Sequence, residues 1–147
     1  MIDKVFADHF AADWIDSWNK HDLVRVLSHY TDDFEMSSPV IIKVAGEPSG
    51  TLKGKKAVGS YWAKALQLVP NLHFELVATL VGVNSITLYY NGVRGSSAEV
   101  FHFNQDGKVT RAYAHYLQHL FCRFTIPVVA VVSDGDKDNG VVRRFGG

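Results

Sequence analysis

Residues 96–116 constrain the fold more than any other stretch of the chain. They read SSAEVFHF, then NQDG, then KVTRAYAHY. Two runs of β-branched and aromatic residues around an Asp-Gly turn signal specify a β-hairpin. With the loop at 104–107, Phe103 is expected to pair with Lys108, and Glu99 to fall opposite Ala112. Strand side chains alternate, so one face carries Ser97, Glu99, Phe101 and Phe103 with Ala112, Ala114 and Tyr116. The other carries Ala98, Val100 and His102 with Arg111, Tyr113 and His115. Neither face is polar enough to look only at water, so both are expected to be covered. On the first, a lone carboxylate sits among aromatics beside two alanines that leave space. That is the outline of a pocket holding one acid, with no lysine or arginine on its inner face.

A chain of 147 residues with 47% apolar and 20% charged residues suits one folded domain with a sizeable core. Fifteen basic and fifteen acidic residues cancel without forming a basic stripe, which argues against nucleic acid as the main partner. Cys122 is the only cysteine, so an internal disulfide and a cysteine metal site are excluded. The seven histidines show no metal-ligand spacing, and neither a Ser-His-Asp set nor a phosphate-binding glycine loop is present. No metal or cofactor is expected. The opening MIDKVFADHF carries acids where a secretory signal is basic. The apolar run 117–132 is interrupted by Gln118, His119, Arg123 and Pro127, which does not suit a membrane span. A cytoplasmic protein is the expectation.

In chain order, Phe6, Phe10, Trp14 and Trp18 recur every four residues and predict a helix over 4–18. Asp22 caps a second, shorter helix carrying Leu23, Val26, Leu27 and Tyr30. A short strand, 34–39, ends at Pro39. Residues 40–54 read as a loop with extended pieces, one of them at 40–44. The third helix spans about 55–69 and stops at Pro70. Strands follow at 73–82 and 85–91, and then the hairpin. Three helices before a meander of four long antiparallel strands imply an α+β fold with the helices on one face of a curved sheet. The domain is placed at 1–117. The extension, 118–147, leaves three readings open: an extra strand pair, an arm exchanged with a partner chain, or a poorly ordered tail.

The chain resembles the nuclear transport factor 2-like (NTF2-like) superfamily, and within it the SnoaL-like and ketosteroid isomerase-like branch of cone-shaped α+β barrels. The residues carrying the resemblance are Trp14-x-x-x-Trp18-Asn19-x-His21-Asp22-Leu23 and Tyr30-x-Asp32-Asp33-Phe34. Gly54-x-x-Ala57 and Ala98-Glu99-Val-Phe101-x-Phe103-x-x-Asp106-Gly107-Lys-Val109 complete it. The family hosts isomerases, cyclases, dehydratases, epoxide hydrolases and non-enzymatic binders. Matched to the ketosteroid isomerase pattern, Ser38 stands at the base position, Trp14 at the first-helix tyrosine, and Glu99 at the acid that holds the oxyanion. One of three roles survives, so steroid isomerisation by that mechanism is not expected.

Glu99 is therefore the candidate catalytic acid or base, since carboxylates are rarely buried without a partner or a purpose. Its alternative role is a structural acid satisfying a tryptophan N–H or a tyrosine hydroxyl. Trp14, Ser38, Tyr61, Trp62, Tyr90, Phe101 and Tyr116 are the candidate substrate-binding residues around it. Asp13 and Asp16 are expected on the solvated side of the first helix, with His9 and Asp13 paired. Two functions stay open: an enzyme acting on a small, largely apolar molecule, or a non-catalytic ligand-binding or dimerisation module. A homodimer through the outer sheet face is expected from its mix of His102, Arg111, Tyr113 and His115 with Ala98 and Val100.

Overall fold

The structure, a computed structural model, describes residues 1–117. The extension at 118–147, its three open readings and Cys122 lie outside the described residues. Helix α1 (Lys4–Asn19) begins at Asp3, whose side chain accepts the Phe6 N–H at 2.8 Å. Its buried stripe is Phe10, Trp14 and Trp18, one helical turn apart, with Ala7 and Ala11 beside it. The chain leaves the helix through His21 at φ 55°, a left-handed conformation usually given to glycine. Asp22 caps α2 (Leu23–Leu27) by accepting the Arg25 N–H.

Strand β1 (Tyr30–Ser37) starts earlier than the sequence suggests and takes in Tyr30. The extended piece expected at 40–44 is instead a short helix, α3 (Pro39–Val44). Ser38 supplies the cap by accepting the Val40 N–H at 3.1 Å, and Pro39 takes the first helical position, where its missing N–H costs nothing. These two signals outweigh the β-preference of Val40, Ile41 and Ile42. Strand β2 (Thr51–Lys53) leads through Gly54 into α4 (Lys55–Leu68). Gly54 sits at φ 88° and ψ 153°, a region closed to side-chain-bearing residues, while its N–H donates to the Phe34 carbonyl at 2.8 Å. Gly54→Ala is accordingly expected to destabilise the fold by about 1–3 kcal/mol, read as a lowered urea midpoint at unchanged slope.

The meander follows as β3 (Glu75–Val81), β4 (Ser85–Gly92), β5 (Gly95–Phe103) and β6 (Val109–Tyr116), each strand antiparallel to the next. Strand β6 then pairs parallel with β1, and β1 antiparallel with β2. The result is an open six-stranded sheet in the order β2-β1-β6-β5-β4-β3. Helix α1 lies against β3 and α4 against β1 and β2. Helices on one face of a mixed sheet make this an α+β fold, with four helices among the described residues where the sequence suggested three.

The hairpin register differs from expectation by two residues along most of the ladder and by one at Phe103. Glu99 pairs with Ala114, not Ala112, and Phe103 with Val109, not Lys108. The cause is the turn. Asn104 N–H donates to the Lys108 carbonyl at 2.9 Å, which leaves a three-residue loop with Gly107 in the left-handed conformation at φ 72°. A bulge between His102 and Phe103 then adds one more residue on β6. A shift of two preserves the alternation, so the side chains assigned above keep their predicted faces; beyond the bulge the offset is one, which turns Val109 inward, where it is buried.

Candidate functional site

The inner face of the meander is layered. Phe101 pairs with Ile86 and Ala112; one step up, Glu99 lies between Leu88 and Ala114; one step further, Ser97 lies between Tyr90 and Tyr116. The lower end is filled. Phe101 meets Phe10 and Trp14 edge-on at 4.9 and 5.3 Å, and Phe103 meets Phe6 and Phe10 in the same way. Above the Glu99 layer the packing opens into a cavity of about 120 Å³. The α1 side supplies Trp14 and Trp18, α4 supplies Tyr61 and Trp62, and the sheet supplies Tyr90, Ser97, Glu99 and Tyr116. Val69, Leu72 and Phe74 close one flank, and the β4–β5 turn, with Val93 and Arg94, forms the rim.

Trp14, Tyr61, Trp62, Tyr90, Glu99 and Tyr116 thus face one cavity. Phe101 does not: it is fully buried beneath the floor, in the core. Nor do the two alanines open the space, because Ala112 and Ala114 are buried and the cavity lies above them. Ser38 stands just behind the lining, capping α3. Its hydroxyl holds the pKa values of Tyr61 and Tyr116 somewhat below where burial alone would set them.

Glu99 is only 4% exposed. The Tyr90 hydroxyl donates to its Oε2 at 3.3 Å, while Oε1 is buried with no hydrogen-bond partner among the described residues. Trp14 and Trp62 N–H are the tryptophan donors expected for it, and of these Trp14 Nε1 donates instead to the Tyr30 hydroxyl at 2.9 Å. Burial without a compensating cation penalises the carboxylate and pushes Glu99 up to about 8 from an ordinary 4.5. Burial acts on the phenols in the same direction. Tyr61 rises to about 12, and Tyr30, Tyr90 and Tyr116 also lie above their usual value. Each phenol keeps its proton at neutral pH. Of the polar side chains grouped in this cavity, Glu99 is the one whose charge changes near neutrality.

The Trp-Asn-x-His-Asp motif supports the site from outside. Asn19 Nδ2 donates to the Phe74 carbonyl at 2.9 Å, and its Oδ1 accepts the Phe74 N–H at 2.7 Å. His21 Nε2 donates to the Leu72 carbonyl at 2.9 Å. These contacts clamp the segment whose Leu72 and Phe74 line the cavity. Phe74 in turn stacks on Trp14, with ring centroids 5.7 Å apart.

Asp13 does not pair with His9. Its partners are Arg25, with which it forms an ion pair, and His29, whose Nε2 lies 2.7 Å from Oδ2 in a geometry too oblique for a good hydrogen bond. Arg25 also binds Asp16, which pairs with Lys20 as well. The Arg25 hydrogen bond is the first cause that holds Asp13 below the ordinary carboxylate range, and burial pulls His29 down. The cluster braces the α1–α2 corner away from the cavity. The outer sheet face carries the residues assigned to it, with His102, Arg111 and His115 exposed and Tyr113 half-buried. Among the described residues, no group of three or more metal-ligating side chains converges, and no helix is long and apolar enough to cross a membrane.

Helices packed over an open, curved mixed sheet, with a cavity between them, define the NTF2-like superfamily. Within it the chain belongs to the SnoaL-like family, whose model matches residues 11–112. A SnoaL-like protein of unknown function from Burkholderia thailandensis is 55% identical, with a TM-score of 0.76 over 79% of this chain and 98% of that one. More distant in sequence is the epoxide hydrolase/cyclase-like enzyme SalBIII of pyran ring formation in the polyether salinomycin. It is 14% identical, with a TM-score of 0.65 over 81% and 96% of the two chains. RV0760c from Mycobacterium tuberculosis, in complex with estradiol-17beta-hemisuccinate, is 17% identical, with a TM-score of 0.63 over 78% and 96%. No curated protein gives a significant match.

Proposed function

We propose that the chain is a small-molecule enzyme acting on a largely apolar substrate, with Glu99 as its acid. The observation carrying this is the state of Glu99: a carboxyl held protonated near neutrality, one oxygen steadied by Tyr90 and the other unpartnered beside an aromatic cavity. A neutral carboxyl in a dry site can donate to the oxygen of a carbonyl or an epoxide as negative charge develops there. Because the phenols stay protonated and Ser38 is no base, the site offers one titrating group and no partner for it. That suits a reaction whose nucleophile belongs to the substrate, such as cyclisation or internal epoxide opening, more than one needing a separate base. Glu99 would give its proton to the oxygen and recover one from the attacking hydroxyl.

A set of apolar carbonyl, epoxide and lactone compounds, scored by melting temperature, is the direct search. A compound present at a hundred times its dissociation constant adds about 2.7 kcal/mol of stability. Turnover that survives Glu99→Gln would overturn the assignment of Glu99. Binding without turnover across such a set would favour the second reading, a ligand-binding module. That reading draws support from the absence of a second acid or base among the described lining residues.

The outer sheet face is proposed to pair two copies, in a protein that works in the cytoplasm. Leu80 at 58% and Tyr89 at 39% exposure extend the apolar part of that face beyond Val100 and Tyr113. Tyr113→Asp is expected to shift light scattering from twice the chain mass to once, with the affinity of cavity ligands unchanged. A wild-type protein that scatters as a single chain at micromolar concentration would exclude the dimer.

A further inference from the structure

We infer that Trp18 is a second polar anchor for the substrate, donating its indole N–H to an acceptor oxygen of a compact, largely apolar molecule that reaches Glu99 as well. This rests on the cavity being a ligand site, as proposed above, but not on the acid role of Glu99. Among the described residues, four buried side-chain nitrogen or oxygen atoms have no hydrogen-bond partner. Two of them, Trp18 Nε1 and Glu99 Oε1, belong to residues lining this one cavity, and the other two, on His29 and Thr31, do not. Trp18 and Glu99 are only 5% and 4% exposed. Buried polar groups are nearly always paired, so two open ones at one cavity mark where a ligand completes the bonding.

The contrast with Trp14, one helical turn earlier, shows what Trp18 lacks. Trp14 Nε1 donates to the Tyr30 hydroxyl at 2.9 Å, so its polar atom is satisfied within the fold. Trp18 is held by rings on several sides: Trp14 and Trp62 meet it edge-on with centroids 6.0 and 5.2 Å away, and Phe74 lies at 5.8 Å. None of them accepts its N–H in a hydrogen bond. An indole N–H can only donate, so the missing partner is an acceptor, such as the oxygen of a ketone, ester, ether or epoxide. The protonated Glu99 carboxyl asks for the same kind of atom, since Tyr90 already donates to its other oxygen. Together the two open positions select a molecule whose polar edge accepts hydrogen bonds and carries few donors of its own. A cavity of about 120 Å³ compares with voids of about 150 Å³ that hold a benzene ring. The body of that molecule is therefore one ring or a chain of similar bulk.

The test uses matched probes that differ only in the acceptor oxygen: acetophenone against α-methylstyrene, and cyclohexanone against methylenecyclohexane. The full-length protein, isotope-labelled for NMR, gives one indole N–H signal for each of Trp14, Trp18 and Trp62, and the Trp18 signal is assigned through its contacts with the neighbouring rings. Each ketone is expected to move the Trp18 signal further downfield than its alkene does, and to slow its exchange with water. Titration of the same signals gives the affinities. Trp18→Phe keeps a ring and removes the donor, so it should cut the preference for ketone over alkene by about threefold to tenfold relative to the wild type. Glu99→Gln should leave the shift of the Trp18 signal in place. Turnover that survives Glu99→Gln, which overturns the acid role of Glu99, would leave the Trp18 contact standing. A Trp18 signal that responds alike to ketone and alkene in the wild type would overturn the role of Trp18, whether or not Trp18→Phe folds. So would a ketone preference unchanged in Trp18→Phe. Failure of all four probes to bind would overturn the cavity as a ligand site, and this inference with it.

Discussion

Glu99→Gln is expected to remove most of the pH dependence of stability above pH 5. In the unfolded chain this glutamate releases its proton near 4.5, whereas in the fold burial holds it until about 8. Between those values the native state carries the extra proton, so wild-type stability falls as the pH rises. The contribution is complete below about 4.5 and is lost as the pH passes through 8. At about 1.4 kcal/mol per unit, the loss across the window is about 5 kcal/mol. His29 works in the opposite sense, because burial lowers its pKa and its neutral form gains stability as the pH rises through 6.5. That term is common to both proteins, so the difference between their curves isolates Glu99. Glutamine mimics the protonated acid in shape and in donating a hydrogen bond, so the variant should fold and should be the more stable protein at pH 8. Urea unfolding at pH 5, 6.5 and 8 is the measurement. Parallel wild-type and variant curves would mean that Glu99 titrates normally. With a substrate in hand, the same variant should lose about 10²–10⁴-fold in turnover while still binding apolar ligands.

Glu99 was legible because a carboxylate at an inward strand position, flanked by aromatics, has few bland explanations. The strand faces were legible for a related reason: alternation survives any even error in register. The two-residue slip at the hairpin therefore moved Glu99 from Ala112 to Ala114 without turning it outward. Less legible were features set by contacts distant in sequence. Asn19 and His21 look like ordinary helix-end residues, and their task of holding Leu72 and Phe74 emerges only when α1 is laid beside β3. Arg94 escaped because it sits in a turn, where alternation assigns no face. Ser38 and Pro39 did carry their signal, a cap followed by proline, but the branched residues after them point to extended chain.

Phe101 offers the sharpest contrast between the two descriptions, and Phe101→Ala distinguishes them. As a lining residue, as its strand position suggested, its truncation would enlarge the ligand site at modest cost. In the structure it is fully buried, opposite Ile86 and Ala112, and its ring meets Phe10 and Trp14 edge-on. Removing it withdraws one ring from an interlocked set and leaves a void that Ala112 is too small to fill. A loss of about 3–5 kcal/mol is expected, enough to lower the melting temperature by about 10 °C or more. The void would lie directly below Trp14 and the Glu99 layer, so it should join the cavity floor. Benzene or toluene should then restore part of the lost stability in the variant and add little to the wild type. A cost below about 1 kcal/mol would return Phe101 to the cavity wall. A large cost with no rescue by either hydrocarbon would mean that the core closes over the gap.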